Sequence, residues 1–231
     1  MSRPRTYAEL RRQWLQRVMP GADLPDVGAE ISPWDLRALV DELRQYQHDP
    51  EHALGATMDG ARSLDLMAGG SEDDDDEVAT LIEVARTART VRGPGSQYIE
   101  AAALRALVDI ADEEVLPFLV ECFRFSRPHD GSAGHRRTIV LTGIVTIALL
   151  TGNAEALAML DEALAHSAVR VRLGACQAIA DVAGMALVGL PASLAARLDH
   201  VARHDRSRDV RSGAAMALEA ARASTGKEWT C

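Results

Sequence analysis

Two stretches, VRLGACQAIADVA (171–183) and VRSGAAMALEAAR (210–222), are copies of one pattern. Each opens on Val-Arg, places glycine at its fourth position and continues with small or apolar residues. At +3, +4, +7, +8 and +11 from Val171 stand Gly174, Ala175, Ala178, Ile179 and Val182. The same steps from Val210 give Gly213, Ala214, Ala217, Leu218 and Ala221. This spacing lines one face of an α-helix, so both stretches predict helices with one apolar side.

The register recurs upstream. VLTGIVTIALLTG (140–152) places Gly143, Ile144, Ile147, Ala148 and Thr151 at these steps. IEAAALRALVDIA (99–111) places Ala102, Ala103, Ala106, Leu107 and Ile110 there. A second apolar helix follows each first one. Val115, Leu116, Leu119, Cys122 and Phe123 follow the first copy, and Ala156, Leu157, Leu160, Ala163 and Leu164 follow the second at the same offsets. The third copy is interrupted at 184–191 before Leu194, Leu198 and Val201 resume. Anchors at 99, 140, 171 and 210 are roughly 30–40 residues apart, the period of two-helix solenoid units. Glycine inside a helix costs about 1 kcal/mol relative to alanine. Gly143, Gly174 and Gly213 at one phase therefore predict close approach of a neighbouring helix.

The pattern of Val-Arg, small residues and a turn before Leu-Pro-x-Leu resembles HEAT repeats of the phycobilisome-lyase-like type. Val171–Arg172, Asp209–Val210–Arg211 and Asp112 through Leu116–Pro117–Phe118–Leu119 carry the resemblance, as does the TGKEW ending at 225–229. It covers about 96–229. The unit at Val140 departs from it, lacking Arg after the anchor and carrying Thr142. The resemblance implies an all-α chain, an α-solenoid of HEAT-like helix pairs. It also implies that the Arg two places into a first helix pairs with a turn Asp, for which Asp205 and Asp209 are available. Two HEAT-like enzyme groups, alkylpurine DNA glycosylases and bilin lyases, give the alternative reading. Against it, Trp14, Trp34 and Trp229 lie outside the repeat core, and no tetrapyrrole-handling signature is present.

Upstream, 51–67 reads as another first helix, 69–77 as an acidic loop and 78–91 as a second helix. Ser32–Pro33 is a start signal for a helix to about Gln47, and a further helix is expected over 6–19. Residues 1–49 are thus expected to form an N-terminal helical cap, and 50–231 the repeat array. Loops are expected at 20–31, 69–77, 92–96, 126–135 and 184–190, where Gly, Pro and Asp cluster.

Composition narrows the function classes. Of 231 residues, 47% are hydrophobic but only 4% aromatic, which suits close-packed Ala- and Leu-rich helices. All but one of the 25 basic residues are Arg, the exception being Lys227. No phosphate-binding loop with its lysine is present. Net charge is −9, which disfavours nucleic-acid binding and favours a basic protein partner. The start has no apolar signal-peptide core, and the longest apolar stretch, 139–150, is too short to span a bilayer; a cytoplasmic location is expected. Cys122, Cys176 and Cys231 form no paired motif, and the first two fall on apolar faces.

Two clusters are the candidate partner-binding residues. One is the acidic run containing Glu72, Asp73, Asp74, Asp75 and Asp76. As a solvated loop its last acids would favour the start of the next helix. The other is an Arg group, chiefly Arg170, Arg172, Arg206, Arg208 and Arg211, with Arg203 beside it. It reads either as a structural Arg–Asp ladder or as a ligand surface. His200 and His204 stand four apart, but the HVARH stretch lacks the Glu of a zinc-protease helix. No catalytic set, metal site or cofactor is expected. The reading is a non-enzymatic protein-interaction module, an adaptor or an immunity or inhibitor protein for a basic partner.

Overall fold

A computed structural model describes residues 75–90, 96–110, 112–125, 131–185 and 189–225. The expected helices at 6–19, 32–47 and 51–67 lie outside these. The described residues are all-α: eight helices and one 3₁₀ turn, with no strand among them. The helices are α1 (Asp75–Thr90), α2 (Ser96–Ile110), α3 (Leu116–Phe125), α4 (Gly131–Thr151), α5 (Ala154–Ala165), α6 (Val169–Met185), α7 (Ala192–His204) and α8 (Arg208–Thr225). Among the described residues, no helix is long and apolar enough to cross a membrane.

The described helices divide between two compact units. In the first, α1 packs on α2. Leu81, Val84, Ala85 and Ala88 form the buried stripe of α1, and Ile99, Ala102, Ala103, Ala106 and Leu107 that of α2. The repeat alignment pairs Ile99–Ala111 with Val115–Phe123, whereas the most extensive packing of α2 is against α1.

The second unit holds α3 to α8. Asp112 opens it by accepting a hydrogen bond from the Glu113 N–H, and the 3₁₀ turn Glu113–Val115 leads into α3. Pro117 sits in the first turn of α3, where a missing N–H leaves no helical bond unmade. Between α4 and α5 the chain reverses over Thr151–Asn153. Gly152 takes a positive φ of 74°, which a side chain would oppose. Asn153 then caps α5, its Oδ1 accepting from the Glu155 and Ala156 N–H groups at 2.9 and 3.1 Å.

Contacts between helices follow the order of the chain. The first helices of successive pairs, α4, α6 and α8, pack in sequence, α4 on α6 and α6 on α8. Helices α6 and α8 run side by side in the same direction. Gly213 lies against Leu173 and Cys176 near their starts, and Gly184 against Ala220 further along. The second helices are bridged by ion pairs. Arg124 of α3 lies 3.6 Å from Glu162 of α5, and Asp161 of α5 lies 2.9 Å from Arg197 of α7. The core of this unit is aliphatic: Leu141, Ile144, Leu160, Ile179, Leu198 and Val210 are at or near full burial.

Three boundaries differ from expectation. Helix α1 begins at Asp75, so Asp75, Asp76 and Glu77 form its first turn rather than the end of a loop; acidic residues there complement the helix dipole. Helix α4 begins at Gly131, inside the expected loop 126–135. Helix α6 runs to Met185, two residues into the expected break at 184.

The glycine expectation divides. A Cβ on Gly213 would meet Leu173 Cδ1 at 3.0 Å and Cys176 Cβ at 3.2 Å, whereas one on Gly174 would meet only Leu141 Cδ1 at 3.7 Å. Close approach therefore holds at Gly213, and Gly174 has room for a methyl group. Gly174→Ala is expected to raise the melting temperature, gaining up to about 1 kcal/mol of helix propensity. Gly213→Ala is expected to lower it, since Cys176 Cβ is fixed to its backbone and overpacking costs about 1–3 kcal/mol. Thermal unfolding followed by circular dichroism checks both signs.

Candidate functional site

The turns that enter α6 and α8 are built alike. In the first, α5 ends and His166 takes an extended conformation, φ −59° and ψ 145°. In the second, α7 ends and Asp205 takes φ −62° and ψ 141°. Each side chain folds over the turn and accepts the N–H two residues on. His166 Nδ1 accepts from Ala168 at 3.0 Å, and Asp205 Oδ1 from Ser207 at 2.8 Å. An Arg then reaches back from the new helix. Arg172 Nη1 donates to the carbonyls of His166 and Ser167 at 2.7 and 2.9 Å. Arg211 Nη1 donates to those of Asp205 and Arg206 at 2.6 and 3.4 Å. These bonds satisfy carbonyls that the ends of α5 and α7 leave exposed.

Arg172 also joins the two turns. Its Nε and Nη2 meet Asp205 Oδ2 and Oδ1 at 2.7 and 2.9 Å, a two-pronged pair. Both side chains are almost withdrawn from solvent, 12% and 9% exposed, so the charges are screened little. The Arg172 hydrogen bond is the main cause holding the Asp205 carboxyl below its ordinary range, helped by the Ser207 N–H and the Arg211 charge against the opposing effect of burial. Asp205 in turn raises Arg172.

Between these turns lies an open groove of about 710 Å³. Leu164, Ala165, Val169 and Val201 give it an apolar lining. Val169 is 42% exposed, a large apolar residue left facing solvent. The polar lining is basic: Arg172, Arg197, Arg206 and the imidazoles of His166, His200 and His204, against the single carboxylate of Asp205. His200 and His204 share one face of α7 with ring centroids 4.8 Å apart. Arg197 lies 2.9 Å from Asp161 Oδ1, but its Nε is not aligned for a hydrogen bond.

Of the Arg group, Arg172 and Arg206 come together in this groove, while Arg170, Arg208 and Arg211 are not among its lining. Arg170 and Arg208 are exposed at the starts of α6 and α8. Arg203 pairs with Asp199 along α7 at 2.8 Å. Arg172 and Arg211 are therefore built into the turns, and Arg206 is the exposed one in the groove. Glu72, Asp73 and Asp74 lie outside the described residues, as do the side chains of Asp75 and Asp76. His166 and Arg197 were not singled out from sequence. Aligning the two turns, His166 against Asp205, is the signal that finds the first. Nothing local marks Arg197.

Cys122 and Cys176 are buried, 1% and 0% exposed, and burial pushes the Cys176 thiol up to about 12. Among the described residues, no group of three or more His, Cys, Asp or Glu is placed to hold a metal ion. Compared with protein families, curated proteins and solved structures, the chain shows no match.

Two outcomes follow. Asp205→Ala is expected to cost about 3 kcal/mol near neutral pH, the low end for breaking a buried pair. The folded-state pKa of Asp205 is lowered, so the pair's contribution is full above the ordinary carboxylate pKa of about 3.9. It is lost as pH falls through the lower folded value. Parent and variant are therefore expected to draw together in stability as pH falls below about 4 and to converge only once it passes the lowered folded value of Asp205, as denaturant titrations at stepped pH would show. Separately, Cys122 and Cys176 are expected to resist a thiol reagent in the folded chain and to react once denaturant unfolds it. Rapid labelling of either in the native state, read by peptide mass spectrometry, would contradict this burial.

Proposed function

We propose that the chain is a HEAT-like α-solenoid acting as a non-enzymatic module for binding another protein. The observation that carries this is the duplicated turn. His166 and Asp205, Ser167 and Arg206, and Arg172 and Arg211 stand at matching positions and make matching bonds. A duplicated turn, with first helices packed in order along the chain, is what translation of a helix pair generates. The groove between the two matched turns is open rather than enclosed, which suits a protein segment better than a sequestered small molecule.

The groove's one carboxylate, Asp205, is engaged by Arg172 and kept ionised by it, so it is not free to act as a general acid or base. A net charge of −9 draws a basic partner over long range, and adaptor and inhibitor roles both use such a surface. Affinity capture with the intact chain from its native host is expected to recover a discrete protein that also binds the purified chain directly. Base release from alkylated DNA, or small-molecule turnover with no such partner found, would overturn the reading.

A further inference from the structure

We propose that the groove between the two turns is a docking site for an acidic segment of a protein partner, with its carboxylates on the Arg206, His200 and His204 rim and an apolar side chain on Val169. This rests on the interaction-module reading and adds the chemistry of the segment recognised. Charge complementarity chooses the occupant. The lining holds three guanidiniums and three imidazoles around one carboxylate; Arg172 is paired with Asp205 and Arg197 lies 2.9 Å from Asp161, which leaves Arg206 as the uncompensated positive charge, in a chain whose net charge is −9. That carboxylate, Asp205, is already engaged by Arg172 at 2.7 and 2.9 Å, so it repels an incoming acid less than a free one would.

The groove contains a working example of the contact it offers. Asp205 is an acidic residue in an extended segment, its carboxylate held by an Arg fork and its backbone bonded nearby. Arg206 is exposed, and its guanidinium makes no hydrogen bond or ion pair among the described residues; it is its carbonyl that accepts from Arg211. An Arg fork binds a carboxylate with two parallel bonds. Each imidazole ring donates at least one N–H in either protonation state. The apolar lining rules out a purely electrostatic site: Val169 is exposed in the first turn of α6, beside Leu164 and Ala165 at the end of α5. A segment mixing acids with one or two aliphatic residues fits both parts, and a bare phosphate fits only the rim.

The test titrates the full chain against a fluorescent peptide of Glu, Asp and Leu, with a Lys and Leu peptide of equal length as control. Fluorescence anisotropy is expected to show saturable binding of the acidic peptide alone, weakening as salt rises. Arg206→Glu, which replaces the attracting charge with a repelling one, and the double variant His200→Ala, His204→Ala are expected to weaken it about tenfold. Arg222→Glu, a matched charge reversal near the far end of α8, is expected to leave it unchanged. Circular dichroism confirms that each variant folds. Absence of acidic-peptide binding overturns the proposal, as does equal binding of the basic peptide or equal loss with Arg222→Glu. So does displacement of the peptide by inorganic phosphate or duplex DNA at lower concentration than by unlabelled peptide, which would assign the rim to phosphate. If a captured partner binds Arg206→Glu as tightly as the parent, the groove assignment falls while the interaction reading stands. If neither partner nor peptide binds, both fall.

Discussion

One guanidinium meets two demands in this fold. A helix that ends leaves carbonyls without partners, and a chain that then turns into a new helix must hold that turn in one shape. Arg172 answers the first demand with Nη1, which spans the His166 and Ser167 carbonyls. Its remaining edge answers the second across the gap to the next turn, where Nε and Nη2 hold Asp205. Asp205 then caps its own turn through Ser207. The bonds thus fix each turn separately and the spacing between them. A lysine could not substitute, because an ammonium presents no planar fork with a third donor pointing backward.

That coupling bears on how the helices pack. Helices α6 and α8 approach closely enough at Gly213 for its missing side chain to matter. Apolar packing between Ala-rich helices is tolerant of sliding, because small residues offer few deep holes. The Arg172–Asp205 pair is directional and nearly buried, so it sets the register that small side chains alone would leave loose. Between α3, α5 and α7, Arg124–Glu162 and Arg197–Asp161 also join helices but are more exposed. Such pairs contribute less, of the order of 0–1 kcal/mol.

How far the sequence told this in advance depends on the length scale of each feature. Helix identity and buried faces were legible because they rest on a short period: the residues read at +3, +4 and +7 from Val171 and Val210 are small or apolar, and most are buried. The Arg–Asp pairing was open to reading through the resemblance, which implies an Arg two places into a first helix paired with a turn Asp and left Asp205 and Asp209 as candidates; the copies themselves repeat only the Arg, as Arg172 and Arg211, and place His166 where Asp205 stands. Helix starts were harder. Asp75–Glu77 reads as a charged loop, yet the same charges suit a helix start, and only the structure decides between them. Gly174 and Gly213 share a phase but not an environment, since one faces a movable Leu141 methyl and the other a fixed Cys176 Cβ. The groove was least legible. Arg206 and the His200–His204 pair stand out in the linear chain and Arg197 does not, but nothing in the sequence brings the three together, and they meet only when two turns are set side by side.

The same construction supplies part of a basic groove on an acidic chain. Arg172, which holds the carbonyls of its turn, lines the groove, whereas Arg211 does not, and Arg197 and Arg206 join it from α7 and from the second turn. Asp205 offsets one of them inside the groove. His166, standing where Asp205 stands one turn later, performs the same capping bond without bringing a negative charge. A carboxylate at position 166 would cap Ala168 equally well but would add a second acid to the groove. The use of imidazole there keeps the turn's geometry while leaving the edge cationic. Local charge at this edge is thus set in part by how the turns are closed, and it opposes the sign of the whole chain. A partner steered over long range by the net charge meets a different potential once it is within a Debye length, about 8–10 Å, of the groove.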